Sequence, residues 1–252
     1  MGAQERLSAL VDVLRQDGQV AVSDAAVRFG TAEMTIRRDL DVLVERGVAR
    51  RIRGGAVNLL MSGDELPFRL RELDAVDAKR RIGAAVAELI SEGEAVALDS
   101  GTTLLEVAKN LTSVRATVLP MSLQSALVLS QAPEVRLIIP GGEVRGGEEA
   151  MVGPIALTTI TQMRFDTVVL GCCGISAEGQ LMAHDLGDAA IKKALIASGR
   201  RCVLAVDGGK FGRAALAVVT DLAELDVIVT DESAPTSVVA ALESAGVEVR
   251  RA

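Results

Sequence analysis

The first 60 residues place apolar and polar positions at helical spacing, and this pattern predicts three helices followed by a hairpin. A first helix carries its apolar residues on one face, at Leu7, Leu10, Val11 and Leu14. A third helix does the same with Ile36, Leu40, Leu43 and Val44. Between them, Val20 and Val22 indicate a short strand, and Ser23 is placed to cap a second helix over residues 24–29. Two strands joined by a glycine turn are predicted next, over residues 49–52 and 56–59.

From residue 83 onward, the pattern changes to apolar strands that alternate with helices. Strands are predicted at residues 95–98, 116–119, 135–139, 167–170, 202–206, 227–229 and 247–249. Helices are predicted at residues 104–111, 122–130, 154–163, 187–198 and 235–245. Fully apolar strands with helices between them are typical of an α/β fold, in which a parallel sheet is covered on both faces. In such a sheet a ligand binds at the carboxyl ends of the strands.

A chain of 252 residues is long enough for one small and one medium domain. We expect a first domain over residues 1–60, a helical linker over residues 61–81 and an α/β domain over residues 82–252. We expect the basic residues of the linker to form a solvated or salt-bridged face rather than a second nucleic-acid contact: Arg69, Arg71, Lys79, Arg80 and Arg81. Its position makes the linker the expected coupling element.

The composition excludes several classes of protein. The chain has no Trp, no Tyr and four Phe, so stacking of aromatic side chains on single-stranded bases is not expected. Its apolar stretches are of strand length and the first helix is charged, so we expect no membrane span and no signal peptide. The cysteines show no metal-ligand spacing, and we expect buried, reduced thiols in a cytoplasmic protein, with a redox sensor as the alternative and with no metal and no cofactor: Cys172, Cys173 and Cys202.

The third helix combines its apolar face with a set of hydrogen-bond donors. Thr35, Arg37 and Arg38 lie near its start, the end of a recognition helix that approaches base edges in the major groove of DNA. The hairpin adds three more arginines, at Arg50, Arg51 and Arg53. Between residues 37 and 53, six arginines stand against three acids in a chain of net charge −7. This concentration favours specific docking on double-stranded DNA, with a helical bundle that has solvated arginines as the alternative.

Two motifs of this region resemble the winged helix-turn-helix of the DeoR family of bacterial sugar-metabolism regulators. They are Thr35-Ile36-Arg37-Arg38-Asp39-Leu40 and Arg51-Ile52-Arg53-Gly54-Gly55-Ala56. The chain departs from the family pattern at Thr31-Ala32, where Val-Ser is usual, and at Arg53, where His is common. The resemblance implies that operator DNA is contacted by Ser23, Thr31, Glu33, Met34, Thr35, Arg37, Arg38, Arg51, Arg53, Gly54 and Gly55.

A polar loop, Asp99-Ser100-Gly101-Thr102-Thr103, lies directly between a predicted strand and a predicted helix. Its glycine lets the backbone approach an anion, its hydroxyl groups add donors, and the helix N-terminus supplies free N–H groups. The loop lacks the Gly-Lys-Ser/Thr element of a Walker loop. The sequence therefore predicts an anion-binding loop, with an ordinary capped turn as the alternative.

Other polar loops follow the neighbouring strands and should converge on the same edge of the sheet. They contain Gly141-Gly142, Gly171 with Gly174, and Asp207 with Lys210. Asp188 and Lys192 lie one turn apart on a predicted helix, where they either reach this edge or form an ion pair within the helix. We expect His184 to be an ordinary surface or loop residue.

These loops also resemble the effector domain of the DeoR family, so the likeness covers nearly the whole chain. That domain shares a Rossmann-like parallel-sheet fold with ribose-5-phosphate isomerase and coenzyme A transferases, and it binds phosphorylated sugars or related intermediates. The resemblance implies that a phosphate is held by Ser100, Gly101, Thr102 and Thr103, and that hydroxyl groups or the phosphate meet Asp99, Asp207 and Lys210. The implied effector site also includes Gly141, Gly142, Gly171, Gly174, Asp188 and Lys192. Pro120-Met121-Ser122 replaces the common Thr-Asn-Ser and Gly209 replaces Ser, so an altered ligand or weaker binding is expected.

Three functional classes follow from these observations. The first is a repressor of carbohydrate or polyol catabolic genes, which binds operator DNA as a homodimer or homotetramer in the bacterial cytoplasm and nucleoid and responds to a phosphorylated sugar or polyol. The second is an aldose–ketose isomerase that uses Asp99, Asp207 and Lys210 for proton transfer. The third is an architectural DNA-binding protein with a vestigial pocket. The winged helix disfavours the second class and the phosphate loop disfavours the third, so we expect a repressor without catalytic residues.

Overall fold

The computed structural model describes residues 1–59 and 66–252. The chain divides into two compact units, Met1–Asp74 and Ala75–Ala252. The linker predicted over residues 61–81 is divided between them, with residues 61–65 outside the described residues. Leu70 packs into the core of the first unit, and a helix of the second unit begins at Val76. Within that helix Lys79 is buried, so of the two expectations for it, a solvated or a salt-bridged position, the solvated one is wrong.

The first unit consists of helices packed on a three-stranded antiparallel sheet. The helices are α1 (Ala3–Asp17), α2 (Val22–Phe29), α3 (Glu33–Glu45) and the short α4 (Phe68–Arg71). The strands are β1 (Gln19–Ala21), β2 (Ala49–Ile52) and β3 (Gly55–Asn58), in the order β1-β3-β2. The predicted apolar face of α3 is buried, because Ile36, Leu40 and Leu43 are fully enclosed by the core that also contains Leu10 and Leu14. These elements form the winged helix-turn-helix that the sequence predicts.

Helix α2 begins earlier than predicted, and Ser23 does not cap it. The residue that precedes the helix is Ala21, whose backbone is extended and whose side chain makes no capping hydrogen bond. Val22 is buried, and its N–H donates to the carbonyl oxygen of Gly54 over 2.8 Å. Gly54 lies in the turn between β2 and β3, the hairpin that forms the wing. This hydrogen bond ends β1, and α2 begins directly after it. The Ser23 hydroxyl therefore lies inside the first turn, where it donates to Asp24 Oδ1 over 3.1 Å.

A buried ion pair joins α1 to α3. Arg6 Nε lies 2.5 Å from Asp39 Oδ2, and the two side chains are each only 11% exposed. Asp39 belongs to a motif that resembles DNA-reading sequences, yet its carboxylate points into the unit rather than towards a ligand. The pair therefore fixes the recognition helix on its scaffold.

The second unit is built on a seven-stranded sheet in the order β15-β14-β12-β9-β4-β5-β6, and all of its neighbouring strands are parallel. Its strands are β4 (Ala95–Leu98), β5 (Ala116–Pro120), β6 (Val135–Leu137), β9 (Phe165–Leu170), β12 (Gly199–Ala205), β14 (Val227–Thr230) and β15 (Glu248–Arg251). Its helices are α5 (Val76–Ala87), α6 (Thr102–Asn110), α7 (Leu123–Leu129), α8 (Gly153–Thr161), α9 (Leu186–Ser198) and α10 (Thr236–Ser244).

Two hydrophobic cores lie on the two faces of this sheet. One contains apolar residues of α5 and α6, such as Ile82 and Val107. The other contains residues of α8, α9 and α10, such as Ile160, Leu195 and Leu242. The prediction of a parallel sheet covered on both faces is therefore confirmed. Across the described part of the chain, no helix is long and apolar enough to cross a membrane.

Two small antiparallel sheets are additions that the sequence pattern did not predict. A hairpin is formed by β7 (Glu143–Arg145) and β8 (Ala150–Val152). A three-stranded sheet is formed by β10 (Gly174–Ile175), β11 (Gln180–Ala183) and β13 (Ala217–Asp221). Strand β7 has a charged residue at each end and β10 has only two residues, so no apolar run of strand length marks either of them. They depend on the tertiary contacts that surround them.

The ion pair between α1 and α3 leads to a testable expectation for stability. Asp39→Ala leaves the Arg6 guanidinium without its carboxylate partner, so the local free energy of unfolding should fall by about 2 kcal/mol, the scale of a hydrogen bond to a charged group. Hydrogen–deuterium exchange of the full chain measures this at the amides of Leu10 and Leu40. As a control, Asp41→Ala removes an exposed carboxylate and should cost less than about 1 kcal/mol. Equal protection of these amides in the two variants would contradict the role of the pair.

Candidate functional site

The N-terminal half of α3 presents an exposed face of the first unit. Met34 and Arg38 are exposed there, and within residues 1–59 and 66–252 no hydrogen bond or ion pair engages the Arg38 guanidinium. Arg37 is exposed as well, but its Nη2 lies 3.1 Å from Glu33 Oε2. An uncommitted guanidinium on a recognition helix can donate to base edges or phosphates. Arg38 is therefore the strongest candidate for direct contact with DNA.

Arg51 of β2 ties the wing to α3. Its Nε donates to Asp41 Oδ1 over 2.9 Å, and its Nη2 donates to the main-chain carbonyl of Arg37 over 2.7 Å. Because its guanidinium donates to two groups of α3, Arg51 holds the wing in position against that helix. Its contact with DNA stays a prediction. Because Arg51 and Arg37 are fourteen residues apart, sequence spacing did not reveal this bridge.

The turn of the wing contains two glycines that the local structure requires. Gly54 has a φ of 82°, a conformation that strains any other residue. A Cβ at Gly55 would lie 2.0 Å from the carbonyl oxygen of Val20 in β1. Arg53 beside them is exposed and makes no hydrogen bond or ion pair among the described residues. The glycines thus shape the wing, and Arg53 is available to meet phosphates.

The other residues predicted to contact DNA lie in α2 or around the start of α3. Ser23 is exposed in the first turn of α2, and Thr31 is half-buried in the turn between α2 and α3. Glu33 is exposed and Thr35 is half-buried, both in the first turn of α3. Their contacts with DNA stay predictions.

Three neighbouring strands of the parallel sheet, β4, β9 and β12, end at one edge of the second unit. Asp99 directly follows β4, Gly171 follows β9, and Asp207 is two residues beyond β12. The N–H of Gly171 donates to Asp99 Oδ2 over 3.1 Å, and the N–H of Ser100 donates to Asp99 Oδ1 over 2.8 Å. The Asp99 carboxylate therefore joins Ser100 and Gly171, and Asp207 follows a strand that ends at the same edge of the sheet.

Lys192 of α9 reaches the same carboxylate. Its Nζ contacts Asp99 Oδ2 and lies 3.3 Å from Asp188 Oδ1. All three side chains are less than a tenth exposed. Both expectations for the Asp188 and Lys192 pair hold at once, because Lys192 pairs within its helix and also reaches the end of β4.

The charges of this cluster depend on one another. Burial lowers the pKa of Lys192, but the attraction of Asp188 and then Asp99 outweighs it and raises this pKa well above its ordinary value. Burial raises the pKa of Asp99, and Lys192 opposes this only in part. Burial also acts to raise the pKa of Asp188, yet Lys192 and His184 together bring it below its ordinary value. The Lys192 ammonium is therefore charged, and Asp188 is the anion that the cluster stabilises most firmly.

Helix α6 begins next to Asp99, and its N-terminus is open in the sense that no side chain caps it. Gly101 precedes the helix with a φ of 136°, and no side chain caps it. The first turn consists of Thr102 and Thr103, both buried, and the N–H of Leu105 is bonded to the carbonyl oxygen of Gly101. The N–H groups of the first turn have no acceptor within a helix and carry the positive end of its dipole. This geometry suits a bound anion.

Asp207 and Lys210 lie in the loop after β12. Asp207 is buried, and Lys210 is half-buried at the end of the short 3-10 turn Gly208–Lys210. Burial raises the pKa of the Cys172 thiol, and the charge of Lys210 opposes this only in part. Cys172 follows Gly171 at the end of β9, and β9 lies next to β12 in the sheet. The loop that carries Lys210 therefore leaves the same edge of the sheet as the loops beside Asp99.

The other predicted glycines have local structural reasons that involve no ligand. A Cβ at Gly142 would lie 2.5 Å from a carbonyl oxygen of β8, and one at Gly174 would lie 2.3 Å from a carbonyl oxygen of a neighbouring loop. A Cβ at Gly171 would lie 2.7 Å from a side-chain atom of Leu104, and Gly141 has a φ of 78°, which favours glycine. Close packing or backbone conformation therefore accounts for these glycines, and their place in a ligand site stays a prediction.

His184 was expected to be an ordinary loop residue, and it lies instead at the centre of a charged network. Its Nε2 is 2.9 Å from Glu148 Oε1 and 2.9 Å from Asp185 Oδ2, and Arg145 Nη1 lies 2.7 Å from the same nitrogen. Burial lowers the pKa of His184, but its hydrogen bonds, first of all with Asp188 and Cys173, outweigh that effect and raise the pKa to about 12. Arg145 and Glu148 belong to the unpredicted β7–β8 hairpin, so no sequence signal pointed to them.

Comparison with known proteins assigns both units. The DeoR-like helix-turn-helix domain matches residues 6–59, and the DeoR C terminal sensor domain matches residues 74–232. A winged helix-turn-helix joined to a sensor domain defines a DNA-binding transcriptional regulator, not an enzyme. The chain belongs to the DeoR family.

Relatives match this chain over both units. The glycerol-3-phosphate regulon repressor of Escherichia coli (strain K12) is 31% identical over 96% of this chain and 96% of its own. The putative aga operon transcriptional repressor of Escherichia coli O157:H7 is 32% identical over 98% and 93%. Among solved structures, ribose 5-phosphate isomerase A from Methanocaldococcus jannaschii matches with a TM-score of 0.40 and 15% identity, over 54% of each chain.

The exposed arginines of the first unit lead to a prediction for DNA binding. Arg38→Ala should weaken binding to the chain's own promoter by about 1–3 kcal/mol, the scale of one bidentate contact to a base. Arg53→Ala should weaken binding to all sequences alike and reduce the salt slope by about 1, because it removes one phosphate contact. Fluorescence anisotropy at several salt concentrations measures both effects. Arg164→Ala, an exposed arginine of the second unit, is the control, and full affinity of Arg38→Ala at physiological salt would contradict this interface.

The buried lysine leads to a prediction for the stability of the second unit. Lys192→Met leaves the Asp99 and Asp188 carboxylates buried without their cation, which should cost about 3–5 kcal/mol. The neighbouring Lys193 is exposed on the same helix, so Lys193→Met should stay within about 0.5 kcal/mol of the wild type. Urea unfolding followed by circular dichroism measures both. Similar midpoints for the two variants would show that the ion pair does not hold the site together.

Proposed function

We propose that this regulator is a repressor of carbohydrate or polyol catabolic genes, and that a phosphorylated sugar or polyol modulates its hold on operator DNA. It acts on double-stranded DNA in the bacterial cytoplasm and nucleoid. The open N-terminus of α6 beside the Asp99 and Lys192 cluster is the observation that carries this proposal. The name of one relative, the glycerol-3-phosphate regulon repressor, supports a phosphorylated ligand of this size.

The phosphate of the effector binds at the start of α6. The N–H groups and hydroxyl groups of Thr102 and Thr103 supply donors there, and the helix dipole favours negative charge. Lys210, from the loop after β12, adds a positive charge at the same edge of the sheet. Ser100 is half-buried at the mouth of this loop, and its hydroxyl adds a further donor.

The hydroxyl groups of the effector meet the carboxylate of Asp207. That side chain lies in a buried loop after β12, the strand two places from β4 in the sheet. Carboxylate oxygens accept hydrogen bonds from sugar or polyol hydroxyl groups. Asp99 and Lys192 are already paired with one another, so they stabilise the loops at this edge of the sheet. Asp207 accepts the hydrogen bonds of the ligand.

The regulator binds its operator as a homodimer or homotetramer. Each chain carries one recognition helix, and a single module makes few contacts with bases. Symmetric oligomers place two such helices on repeated half-sites about one turn of DNA apart. A coupling of about 1–3 kcal/mol between effector and DNA would change operator affinity about 5- to 150-fold.

The double variant Thr102→Ala with Lys210→Ala tests the effector site. It should keep the operator affinity of the wild type in the absence of ligand and lose the response to phosphorylated sugars, because one hydroxyl donor and the positive charge are removed from the phosphate site. A screen of phosphorylated sugars and polyols, read by thermal shift and then by operator binding, measures both properties. The control is Thr158→Ala with Lys193→Ala, which removes an exposed threonine and an exposed lysine elsewhere in the same unit.

Two outcomes would overturn this function. If phosphorylated compounds bind but leave operator affinity unchanged, the pocket does not regulate DNA binding. If no phosphorylated sugar or polyol shifts the unfolding temperature, the pocket is vestigial and the chain is an architectural DNA-binding protein.

A further inference from the structure

We propose that Cys173, His184 and Asp188 form a binding site for one tetrahedral divalent metal ion, with zinc as the preferred ion. Cys173 lies between β9 and β10, His184 directly follows β11, and Asp188 is in the first turn of α9. This site goes beyond the proposed effector response and does not depend on it.

The three potential donor atoms form a triangle of the size that zinc requires. Cys173 Sγ lies 3.4 Å from His184 Nδ1 and 3.9 Å from Asp188 Oδ2. His184 Nδ1 lies 3.5 Å from Asp188 Oδ2. Zinc bonds of about 2.0–2.3 Å at tetrahedral angles place such donors about 3.3–3.6 Å apart. An ion can therefore bind all three after shifts of a few tenths of an ångström.

The chemistry of the donors favours zinc over magnesium or calcium. A thiolate, an imidazole and a carboxylate form a mixed sulfur, nitrogen and oxygen set, which borderline-soft ions prefer and hard ions do not. Three protein ligands leave a fourth tetrahedral position for water or for an oxygen of a small molecule. This is the pattern of an open zinc site.

The surroundings of His184 match those of a metal-bound histidine. In zinc sites the nitrogen that does not bind the metal usually donates its proton to a carboxylate, which orients the ring. Here Nε2 lies 2.9 Å from Glu148 Oε1 and 2.9 Å from Asp185 Oδ2. Arg145 Nη1 lies 2.7 Å from both Nε2 and Asp185 Oδ2. Because a guanidinium can only donate, in the metal-bound form Arg145 donates to Asp185 and the Nε2 proton is directed to Glu148. Nδ1 is thereby turned towards Cys173 and Asp188.

The charges of the site suit a dication. The Cys173 thiolate and the Asp188 carboxylate together neutralise it, and the ion replaces the protons that these groups and His184 otherwise share. Lys192 contacts the other oxygen of Asp188, at 3.3 Å, and is itself paired with Asp99. The ammonium therefore leaves Asp188 Oδ2 available to the metal.

The backbone holds the three ligands in place. The N–H of Cys173 donates to the carbonyl oxygen of Met182 over 3.2 Å, which extends the β10–β11 pairing to Cys173, and His184 directly follows β11. Asp185 caps α9, with its Oδ1 accepting from the N–H of Asp188 over 2.8 Å. Sites supported by paired strands and a capped helix keep their geometry.

Cobalt binding by the full-length chain tests the proposal. The protein is reduced, freed of metal with a chelator and titrated with Co²⁺ under anaerobic conditions. We expect one ion per chain, a thiolate-to-cobalt charge-transfer band in the near ultraviolet and the intense visible bands of tetrahedral Co²⁺. Addition of Zn²⁺ should remove these bands. A pale octahedral spectrum without the charge-transfer band in the wild type would overturn the proposal.

Variants assign the ligands. Cys173→Ser should remove the charge-transfer band, whereas Cys172→Ser and the buried control Cys202→Ser should keep it. Glu148→Gln should keep the tetrahedral spectrum and lower zinc affinity about 10–100-fold, as loss of a supporting carboxylate does. Competition with a chromophoric chelator measures that affinity.

Two results with these variants would contradict the assignment. Retention of the charge-transfer band in Cys173→Ser would show that another thiol binds the metal. Unchanged zinc affinity in Glu148→Gln would contradict the role of Glu148 in orienting His184 for the metal. If Cys173→Ser does not fold, the wild-type spectrum and Glu148→Gln decide the matter.

Discussion

The buried ammonium of Lys192 is the constraint on which the second unit depends. A charge removed from water is costly unless it is paired and hydrogen-bonded, so Asp99 at the end of β4 and Asp188 on α9 must both be present. Asp99 in turn accepts N–H groups from Ser100 and Gly171, which fixes the loops after two neighbouring strands. One ion-pair cluster thereby sets the positions of the elements around the proposed effector site.

The residues that stabilise this part of the structure are different from the residues proposed to bind the ligand. The Asp99 and Lys192 pair is fully buried and mutually satisfied, so it acts as a frame. The open start of α6, Asp207 and Lys210 lie on loops at the same edge of the sheet, and in the proposed site they supply donors, an acceptor and a positive charge. A regulator requires this kind of site, because its ligand must bind and leave without being transformed.

The periodic and motif-bearing parts of the chain could be predicted. The apolar runs that became β4, β9 and β12 identified a covered parallel sheet, and the apolar face of α3 identified the recognition helix. Side chains that act across long sequence separations could not be predicted in this way. Arg51 bridges to Asp41 and Arg37 instead of standing free, and Ser23 lies inside α2 because the pairing of β1 moves the start of that helix.

The amino-acid sequence by itself determined the two-part organisation, the helix that reads DNA and the strand edge where polar loops collect, because these follow from local periodicity and short motifs. Only the tertiary structure decided which of those polar groups meet. Cys173 and His184 are eleven residues apart and are joined by a short antiparallel pairing that leaves no periodic pattern. Glu148 reaches His184 from a hairpin more than thirty residues earlier in the chain. Contacts of this kind depend on how the elements pack, and packing is a property of the whole unit rather than of any segment.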